Sequence, residues 1–502
     1  DILTFAEFET ATNALASGLA GLGIDRGDRV VGMMYNSKAF LLAMVAVHKR
    51  GAIFVPINTE LKGAFLEHQI RNIEPCAAFV GDELRPAFDT ISIDGLNIEA
   101  TVSIEGNGEP LTGSRAIAFA DLLETQARAE DVVEAKAHDI CMIMFTSGTT
   151  GPSKGTLMPH AHSVLFGFGA GRALKMTPED CMFICMPFFH AMGLMLQLTS
   201  CLVYGSSAHV IRRFSATTWL DEIRASKATL TYGLGVIPEF IFRQPPSPCD
   251  KDHNLRSMVA VPIGEDWGAP FEERFGLRLV QAYGMTECNI PAYGKLEDPV
   301  MAGCAGHIDN DFFEVKIVDA DTDEEMPKGE VGEIVVRPTQ PACFMQGYYN
   351  MPERTIEAWR NLWFHTGDAG RFDEEGRLFF IDRIKDCIRR RGENISAFEV
   401  EQVINNHPEV AESCVIGVRD ADAGGEEEVK ACVVSVGNDV EPTSILDWCV
   451  ERMPRYAVPR YIEYVDALDK TPTGKLQKQV LRDAGITSDT WDREDVDYVV
   501  PR

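Results

Sequence analysis

The N-terminal part of the chain alternates short apolar runs with amphipathic helix patterns. Arg29–Met34 and Ala52–Ile57 have the length and composition of strands, and Ser37–Lys49 between them reads as a helix that begins at a capping serine. Thr10–Leu22 is predicted to form an earlier helix. The strand pattern returns in three later runs, Cys181–Met186, His209–Ile211 and Leu279–Ala282. Such alternation is typical of an α/β fold, in which helices cover a mostly parallel sheet.

The pattern changes twice farther along the chain. From about residue 303 to residue 338, short β-rich runs such as Phe313–Val318 and Gly332–Arg337 predict a small β-barrel-like part or an antiparallel sheet. After Arg383, helix and strand patterns are mixed, in Ala397–Asn406, Ser413–Val418, Lys430–Val436 and Pro442–Arg452. These runs predict a compact α+β unit. We therefore expect one domain over residues 1–384 and a second over residues 385–502.

Charge and cysteine content narrow the classes of partner. The 502 residues carry a formal net charge of −29, so nucleic acid and anionic membranes would be repelled. An anionic substrate then needs a local cluster of donors. The 13 cysteines include no CxxC pair, which favours reduced thiols in a cytoplasmic protein. The longest apolar run lies near Ala39–Val47 and is about half of the roughly 20 residues that a transmembrane helix needs.

The segment TSGTTGPSKG, residues 146–155, carries the strongest chemical signal. It follows a strand-like run and holds five hydroxyl residues, three glycines, a proline and a lysine. Glycines let successive backbone N–H groups face one anion, and hydroxyls and an ammonium add donors. The predicted polyphosphate ligands are Thr146, Ser147, Gly148, Thr149, Thr150, Gly151 and Lys154. The segment lacks the GxxxxGK[ST] spacing of a Walker motif. The alternative to a phosphate-binding loop is an ordinary polar loop between a strand and a helix.

Two further segments combine groups that suit a nucleotide. In AYGMTE, Tyr283 suits stacking on a base, Thr286 a phosphate contact and Glu287 a Mg²⁺ ion. Asp368, in WFHTGD, suits two ribose hydroxyls, and Arg383 suits the far edge of the same sugar. A surface ion pair is the alternative for these last two residues.

Basic residues near the C-terminus suggest two more contacts. Arg389, Arg390 and Arg391 form a cationic cluster beside GEN, which suits another phosphate or is a solvated face. In PTGKLQK, the loop lysine Lys475 is placed to reach a site elsewhere, and an ordinary tail lysine is the alternative.

Taken in this order, from about Thr4 to Asp483, the segments resemble the adenylate-forming superfamily of acyl-CoA synthetases, adenylation domains and luciferases. KRGAIFVPIN and VPIGEDWGAPFEERFG look most similar to carnitine/crotonobetaine-CoA ligase-like enzymes. The resemblance implies a large N-terminal AMP-binding domain of stacked α/β sheets and a small mobile C-terminal lid. It also implies a reaction with ATP, Mg²⁺ and CoA, in which a carboxylic acid becomes an acyl-adenylate and then a thioester.

The resemblance also assigns roles to residues of this chain. The nucleotide would be held by the 146–155 loop, Tyr283, Gly284, Thr286, Asp368 and Arg383. Glu287 would bind Mg²⁺, Lys475 would bridge the carboxylate and the α-phosphate, and His190 would lie near the reacting carboxylate. Lys385 would be the hinge, and CoA would pass Arg391, Gly392 and Glu393.

Several alternatives stay open at the sequence level. A free-standing ligase that passes the acyl group to an amine or a carrier-protein thiol fits the same motifs, and a non-catalytic nucleotide sensor would not need Lys475. The stretch Glu265–Trp267 suits either an adenine contact or the acyl pocket. His160 and His162 are interpreted as polar residues at a helix start. The sequence does not specify which carboxylic acid is the substrate. It also leaves the oligomeric state open, and a homodimer is one of the options.

Overall fold

The computed structural model describes residues 2–106, 108–146, 153–234, 237–384, 387–390, 393–419, 427–437, 440–453, 455–470, 476–496, 498 and 500. The chain folds into two compact units. The first comprises Asp1–Val315 with Val336–Phe364, and the second comprises Lys316–Val335 with His365–Arg502. None of the helices in these described ranges has both the length and the apolar character needed to cross a bilayer.

A seven-stranded sheet forms the N-terminal part of the first unit. Its strands are β1 (Arg29–Met33), β2 (Ile53–Pro56), β3 (Ala77–Val80), β4 (Ala100–Ser103), β5 (Arg115–Ala118), β6 (Ile140–Thr146) and β7 (Lys154–Pro159). They lie in the order β5-β4-β3-β1-β2-β6-β7. Only β6 and β7 pair antiparallel. The accompanying helices are α1 (Phe5–Gly21), α2 (Lys38–Lys49), α3 (Gly63–Ile73), α4 (Arg85–Phe88) and α5 (Phe119–Leu123).

The starts of α1 and α2 show how local capping sets helix bounds. The Ser37 hydroxyl accepts a hydrogen bond from the Phe40 N–H at 3.2 Å, so α2 begins where the sequence predicts. Helix α1 begins at Phe5, earlier than predicted. Thr4 and Glu7 form a capping box, in which each side chain accepts from the other residue's backbone N–H at 3.2 Å and 2.8 Å.

A second sheet of the first unit is entirely parallel. It has the order β12-β11-β10-β8-β9. The strands are β8 (Cys181–Ile184), β9 (Ser207–Val210), β10 (Leu230–Leu234), β11 (Ser257–Val261) and β12 (Arg278–Val280). Its helices are α6 (His160–Ala173), the π-helical Met192–Thr199, α7 (Ser200–Tyr204), α8 (Trp219–Ser226), α9 (Ile237–Phe242) and α10 (Gly268–Phe275).

One hydrophobic core joins the two sheets. Phe54 and Val102 of the first sheet, Ile184 and Val259 of the second, and Phe166 of α6 all belong to it. Burying large apolar side chains of this kind contributes about 1.5–3 kcal/mol for each residue. The stacked α/β arrangement expected from the sequence is therefore confirmed.

The β-rich region contains antiparallel strands. They are β13 (Ala282–Met285), β14 (Asn289–Tyr293), β15 (Cys304–Ile308), β16 (Phe313–Val318), β17 (Gly332–Pro338), β18 (Trp359–Arg360), β19 (Trp363–Phe372) and β20 (Leu378–Arg383), with helix α11 (Pro352–Ala358). Within the described ranges these strands do not close into a barrel. The predicted strand Leu279–Ala282 is wrong as one element, because Gln281 separates β12 from β13.

The second unit ends in the predicted α+β arrangement. Its elements are β21 (Cys387–Arg390), β22 (Glu393–Ser396), α12 (Ala397–Asn405), β23 (Val410–Arg419), β24 (Glu427–Ser435), α13 (Pro442–Val450), β25 (Tyr461–Tyr464), α14 (Lys478–Ala484) and β26 (Trp491–Asp492). Strands β23-β24-β25-β26 form one sheet, and only β24 and β25 pair parallel. Short 3₁₀ turns lie at Arg455–Ala457 and Arg493–Val496 in this unit, and at Asp82–Leu84 and Ala129–Asp131 in the first unit.

Candidate active site

The predicted phosphate loop is held at both ends by a strand pair. Thr146 ends β6 and lies opposite Lys154, the first residue of β7. The Thr146 hydroxyl donates to the Lys154 carbonyl at 3.4 Å. The predicted ligands between them, Ser147, Gly148, Thr149, Thr150 and Gly151, lie outside the described residues. The antiparallel pair β6–β7 therefore fixes where the loop starts and ends.

Lys154 and Glu287, predicted from separate motifs, are brought together by a residue that the sequence analysis missed. The Lys154 Nζ lies 4.4 Å from the centroid of the Tyr348 ring. The Tyr348 hydroxyl donates to Glu287 Oε1 at 3.0 Å. Glu287 and Tyr348 are 4% and 5% exposed. A buried carboxylate is costly unless it is hydrogen-bonded and lies near a cation, and this arrangement supplies the hydrogen bond directly and the cation across the ring.

Backbone contacts explain why Tyr348 lies at this position. The segment that carries Tyr348 runs along β7, where the Leu157 N–H donates to the Gly347 carbonyl at 2.9 Å and the Tyr349 N–H donates to the Gly155 carbonyl at 2.7 Å. The Met345 N–H donates to the Glu287 carbonyl at 3.1 Å. Tyr348 is 61 residues from Glu287 in sequence, and no motif in its neighbourhood indicates the contact.

Glu287 fits the donor chemistry of a magnesium site that is completed by a nucleotide. No group of three or more His, Cys, Asp or Glu side chains able to hold a metal is found in the part of the chain that the structure describes. Mg²⁺ is commonly held by one or two carboxylates together with substrate phosphates. A single buried carboxylate beside the end of the predicted phosphate loop matches that donor set.

Tyr283, Gly284 and Thr286 lie on and directly after β13. Tyr283 is buried, Gly284 is exposed and Thr286 is half-buried. A Cβ atom at Gly284 would lie 2.1 Å from the Asn289 carbonyl oxygen, which no side chain tolerates. Glycine is therefore required by the close approach of β14, whatever its contact with a nucleotide.

His190 and the 265–267 stretch lie near the ends of parallel strands, where α/β proteins commonly bind ligands. His190 follows β8 and lies just before the π-helical segment. Trp267 is 7% exposed, and a Cβ atom at Gly264 would lie 2.5 Å from its indole Nε1. Glu265 and Asp266 are exposed. The indole therefore packs on the glycine backbone, and the two carboxylates face outward.

In the second unit, Asp368 and Arg383 form an ion pair. They lie opposite each other on β19 and β20, and the Arg383 Nε is 2.9 Å from Asp368 Oδ1. The Asp368 side chain is 4% exposed and the Arg383 side chain is 36% exposed, so only the carboxylate of the pair is buried. A carboxylate has about four acceptor positions, so one held by an arginine can still accept hydrogen bonds from hydroxyls.

Several predicted residues of the second unit cannot be placed. Lys385, Arg391, Gly392 and Lys475 lie outside the described residues, and Glu393 is described only as the first residue of β22. Their roles stay predictions.

The prediction of a solvent-facing or phosphate-binding cationic cluster is wrong for Arg390. Its side chain is 3% exposed and lies 2.7 Å from the equally buried Glu428. It also donates to the Tyr456 carbonyl at 2.6 Å. Arg390 is therefore a buried structural partner and is not presented to a phosphate.

Comparison with known proteins identifies the family of this chain. Stacked α/β sheets with a buried carboxylate after a strand end, beside the predicted phosphate loop, are typical of an enzyme that handles a nucleotide. The AMP-binding enzyme family matches residues 1–349, and its C-terminal domain matches residues 399–475. The chain belongs to the AMP-binding enzyme family. The resemblance stated from the sequence is therefore confirmed.

Individual relatives cover nearly the whole chain. A crotonobetaine/carnitine–CoA ligase from Salmonella agona (strain SL483) is 30% identical over 485 residues, which are 95% of this chain and 93% of the relative. ATP-bound MatB from Rhodopseudomonas palustris has a TM-score of 0.84 and 27% identity, covering 96% of this chain and 94% of its own. The AMP complex of o-succinylbenzoate coenzyme A synthetase (MenE) from Bacillus subtilis has a TM-score of 0.82 and 25% identity, covering 97% and 95%.

Proposed function

We propose that the protein is an AMP-forming acid–CoA ligase, which converts a carboxylic acid, ATP and CoA into acyl-CoA, AMP and pyrophosphate. The observation that carries the proposal is the cluster of Lys154, Tyr348 and Glu287 at the end of the phosphate loop. Relatives named as CoA ligase and CoA synthetase support the choice of acceptor.

The first step joins two anions. A carboxylate oxygen attacks the α-phosphorus of ATP, and the bond between that phosphorus and the pyrophosphate oxygen breaks. At 4 Å and an effective dielectric constant of about 20, two like unit charges repel by about 4 kcal/mol. A chain with a net charge of −29 therefore needs fixed local cations and N–H donors, which stabilise most where charge moves onto pyrophosphate.

Residues of the first unit would supply part of this stabilisation. Lys154 would face the β- and γ-phosphates, and Thr286 the α-phosphate. Mg²⁺, when bound at Glu287, would neutralise phosphate charge. Tyr283 and Gly284 would contact the nucleotide, and His190 would border the acid. Asp368 and Arg383, which belong to the second unit, would hold the ribose.

The second step needs different groups. The CoA thiolate attacks the acyl carbonyl carbon, and the carbon–oxygen bond to AMP breaks. We assign Lys475 to the first step, and Arg391, Gly392 and Glu393 to the second. Lys385 would be the hinge between an AMP-binding domain over residues 1–384 and a lid over residues 385–502.

A two-stage assay tests the proposal. Purified protein with Mg²⁺ and ATP is offered a panel of acids that includes crotonobetaine, carnitine, o-succinylbenzoate, fatty and aryl acids. We expect at least one acid to drive exchange of labelled pyrophosphate into ATP, and addition of CoA to give the thioester and AMP in equal amounts.

The other outcomes are equally specific. Exchange without thioester, but with product from an amine or a carrier-protein thiol, would assign the protein to the free-standing ligases. Lack of exchange with every acid would overturn acid activation itself.

A further inference from the structure

His162 is a fully buried residue in the first turn of α6 that contacts the Thr286–Glu287 turn directly. Its side chain is 0% exposed. The ring Nε2 lies 2.9 Å from the Thr286 carbonyl oxygen. The ring Nδ1 lies 3.2 Å from the Cys343 carbonyl oxygen and 3.2 Å from Asn289 Nδ2. The sequence analysis interpreted His162 as a polar residue at a helix start, which is correct for its position but not for its burial.

The Asn289 amide orientation is fixed by its other contacts. Its Oδ1 accepts from the Ile290 N–H at 3.0 Å, and its Nδ2 donates to the His162 carbonyl at 2.9 Å. A carbonyl oxygen only accepts and an N–H only donates, so a flipped amide would lose both hydrogen bonds. Asn289 therefore also points an N–H at the His162 Nδ1.

That orientation selects one tautomer of His162. With the proton on Nε2, the ring donates to the Thr286 carbonyl and accepts from Asn289, and only the 3.2 Å approach to Cys343 is unfavourable. With the proton on Nδ1, the ring gains a hydrogen bond to the Cys343 carbonyl. However, its Nδ1–H then faces an N–H of Asn289, and its unprotonated Nε2 faces the lone pairs of the Thr286 carbonyl. Burial lowers the pKa of His162 to about 4, so the ring is neutral near pH 7.

We infer that His162, as the Nε2–H tautomer, is a positioning residue for acid activation: it holds the Thr286 carbonyl and thereby orients Thr286 and Glu287 toward the nucleotide. The inference rests on the proposed function. In the same turn, the Glu287 carbonyl accepts from the Met345 N–H, and the Glu287 carboxylate accepts from the Tyr348 hydroxyl. Both residues of the turn are thus held by hydrogen bonds before any ligand binds, which is the preorganisation that a phosphoryl-transfer site requires.

A pair of amide substitutions separates this role from simple packing. The amide nitrogen of Gln reaches about as far from the backbone as Nε2, whereas that of Asn reaches only as far as Nδ1. His162→Gln can therefore still donate to Thr286. His162→Asn can accept from Asn289 but leaves the Thr286 carbonyl without its donor.

We expect His162→Asn to lower acid-dependent pyrophosphate exchange by about 10–100-fold, the range for loss of a group that orients a ligand-binding side chain. The loss should lie mainly in kcat and in KM for MgATP. CoA attack on supplied acyl-AMP should change less than threefold. His162→Gln should restore exchange to within about fivefold of the natural protein.

Melting curves of both variants accompany the kinetics. Equal exchange rates in the Asn and Gln variants overturn the inference. This holds if both variants are active, and also if both are inactive while their melting temperatures are unchanged. If both melt far below the natural protein, His162→Phe, which keeps an aromatic ring without a donor, replaces the Asn variant. Its retention of full exchange overturns the inference. Lack of exchange by the natural protein instead contradicts the proposed function.

Discussion

At the scale of single residues, the Tyr348 hydroxyl connects two motifs that the sequence presents separately. Lys154 was predictable because it lies in a segment dense in donors, and Glu287 because AYGMTE combines an aromatic residue, a hydroxyl and a carboxylate at a strand end. Tyr348 was not, since an aromatic residue in a Gly-Tyr-Tyr-Asn run is compatible with ordinary core packing. Its function follows only from the backbone pairing of its segment with β7, which is a tertiary contact that local patterns do not encode.

Replacing Tyr348 by Phe tests this contact. Phe keeps the ring beside Lys154 but removes the hydrogen bond to Glu287, and a hydrogen bond to a charged group is worth roughly 1.5–3 kcal/mol. We expect pyrophosphate exchange to fall by about 10-fold or more at limiting Mg²⁺, with partial recovery at high Mg²⁺. Titration of the exchange rate with Mg²⁺ measures this shift.

Tyr349→Phe is the matched control, because Tyr349 is the neighbouring residue and is only half-buried. The same Mg²⁺ dependence in both variants would remove the special role of the Tyr348 hydroxyl.

At the scale of elements, the sequence predicted some of the helices and strands, but not where each one begins or whether the strands close into a barrel. The sequence pattern located α2 from its helical spacing and its Ser37 cap, and it located β1 and β2 as continuous apolar runs, which are buried along almost their whole length. It placed the start of α1 too late, since the capping box of Thr4 and Glu7 precedes the apolar stripe. It also suggested a barrel-like part, because strand patterns predict that strands pair but not whether the sheet closes.

The β13–β14 hairpin offers a test at this scale. In Gly284→Ala, the new Cβ would meet the Asn289 carbonyl at 2.1 Å. We expect the first unit to lose about 1–3 kcal/mol of stability, as in other overpacked sites, and adenylation to fall with it. Gly294→Ala, where the nearest atom is 3.5 Å away, should leave the melting temperature nearly unchanged. Thermal denaturation followed by circular dichroism compares them, and equal melting temperatures would mean that the close approach carries no strain.

At the scale of the whole molecule, the two proposed half-reactions make opposite demands on one site. Acid activation needs cations gathered around a triphosphate, whereas thioester formation needs pyrophosphate gone and a thiol admitted. A single fixed arrangement would serve both poorly, and the proposed exchange of one set of lid residues for another would resolve the conflict. Lys475 and Gly392, on separate segments of the C-terminal domain proposed here, suit those two sets.

Separate substitutions should therefore affect separate steps. We expect Lys475→Ala to reduce pyrophosphate exchange by at least 100-fold, while CoA attack on supplied acyl-AMP stays within about threefold, because only the first step brings two anions together. Gly392→Trp should show the reverse, since a bulky side chain would obstruct the thiol. Lys470→Ala is the control, because Lys470 forms an ion pair with Glu412 within the second unit. Rapid-quench kinetics measures each half-reaction separately. Equal loss of both steps in either variant would contradict the division of roles, because a residue that serves only one step should leave the other step unchanged.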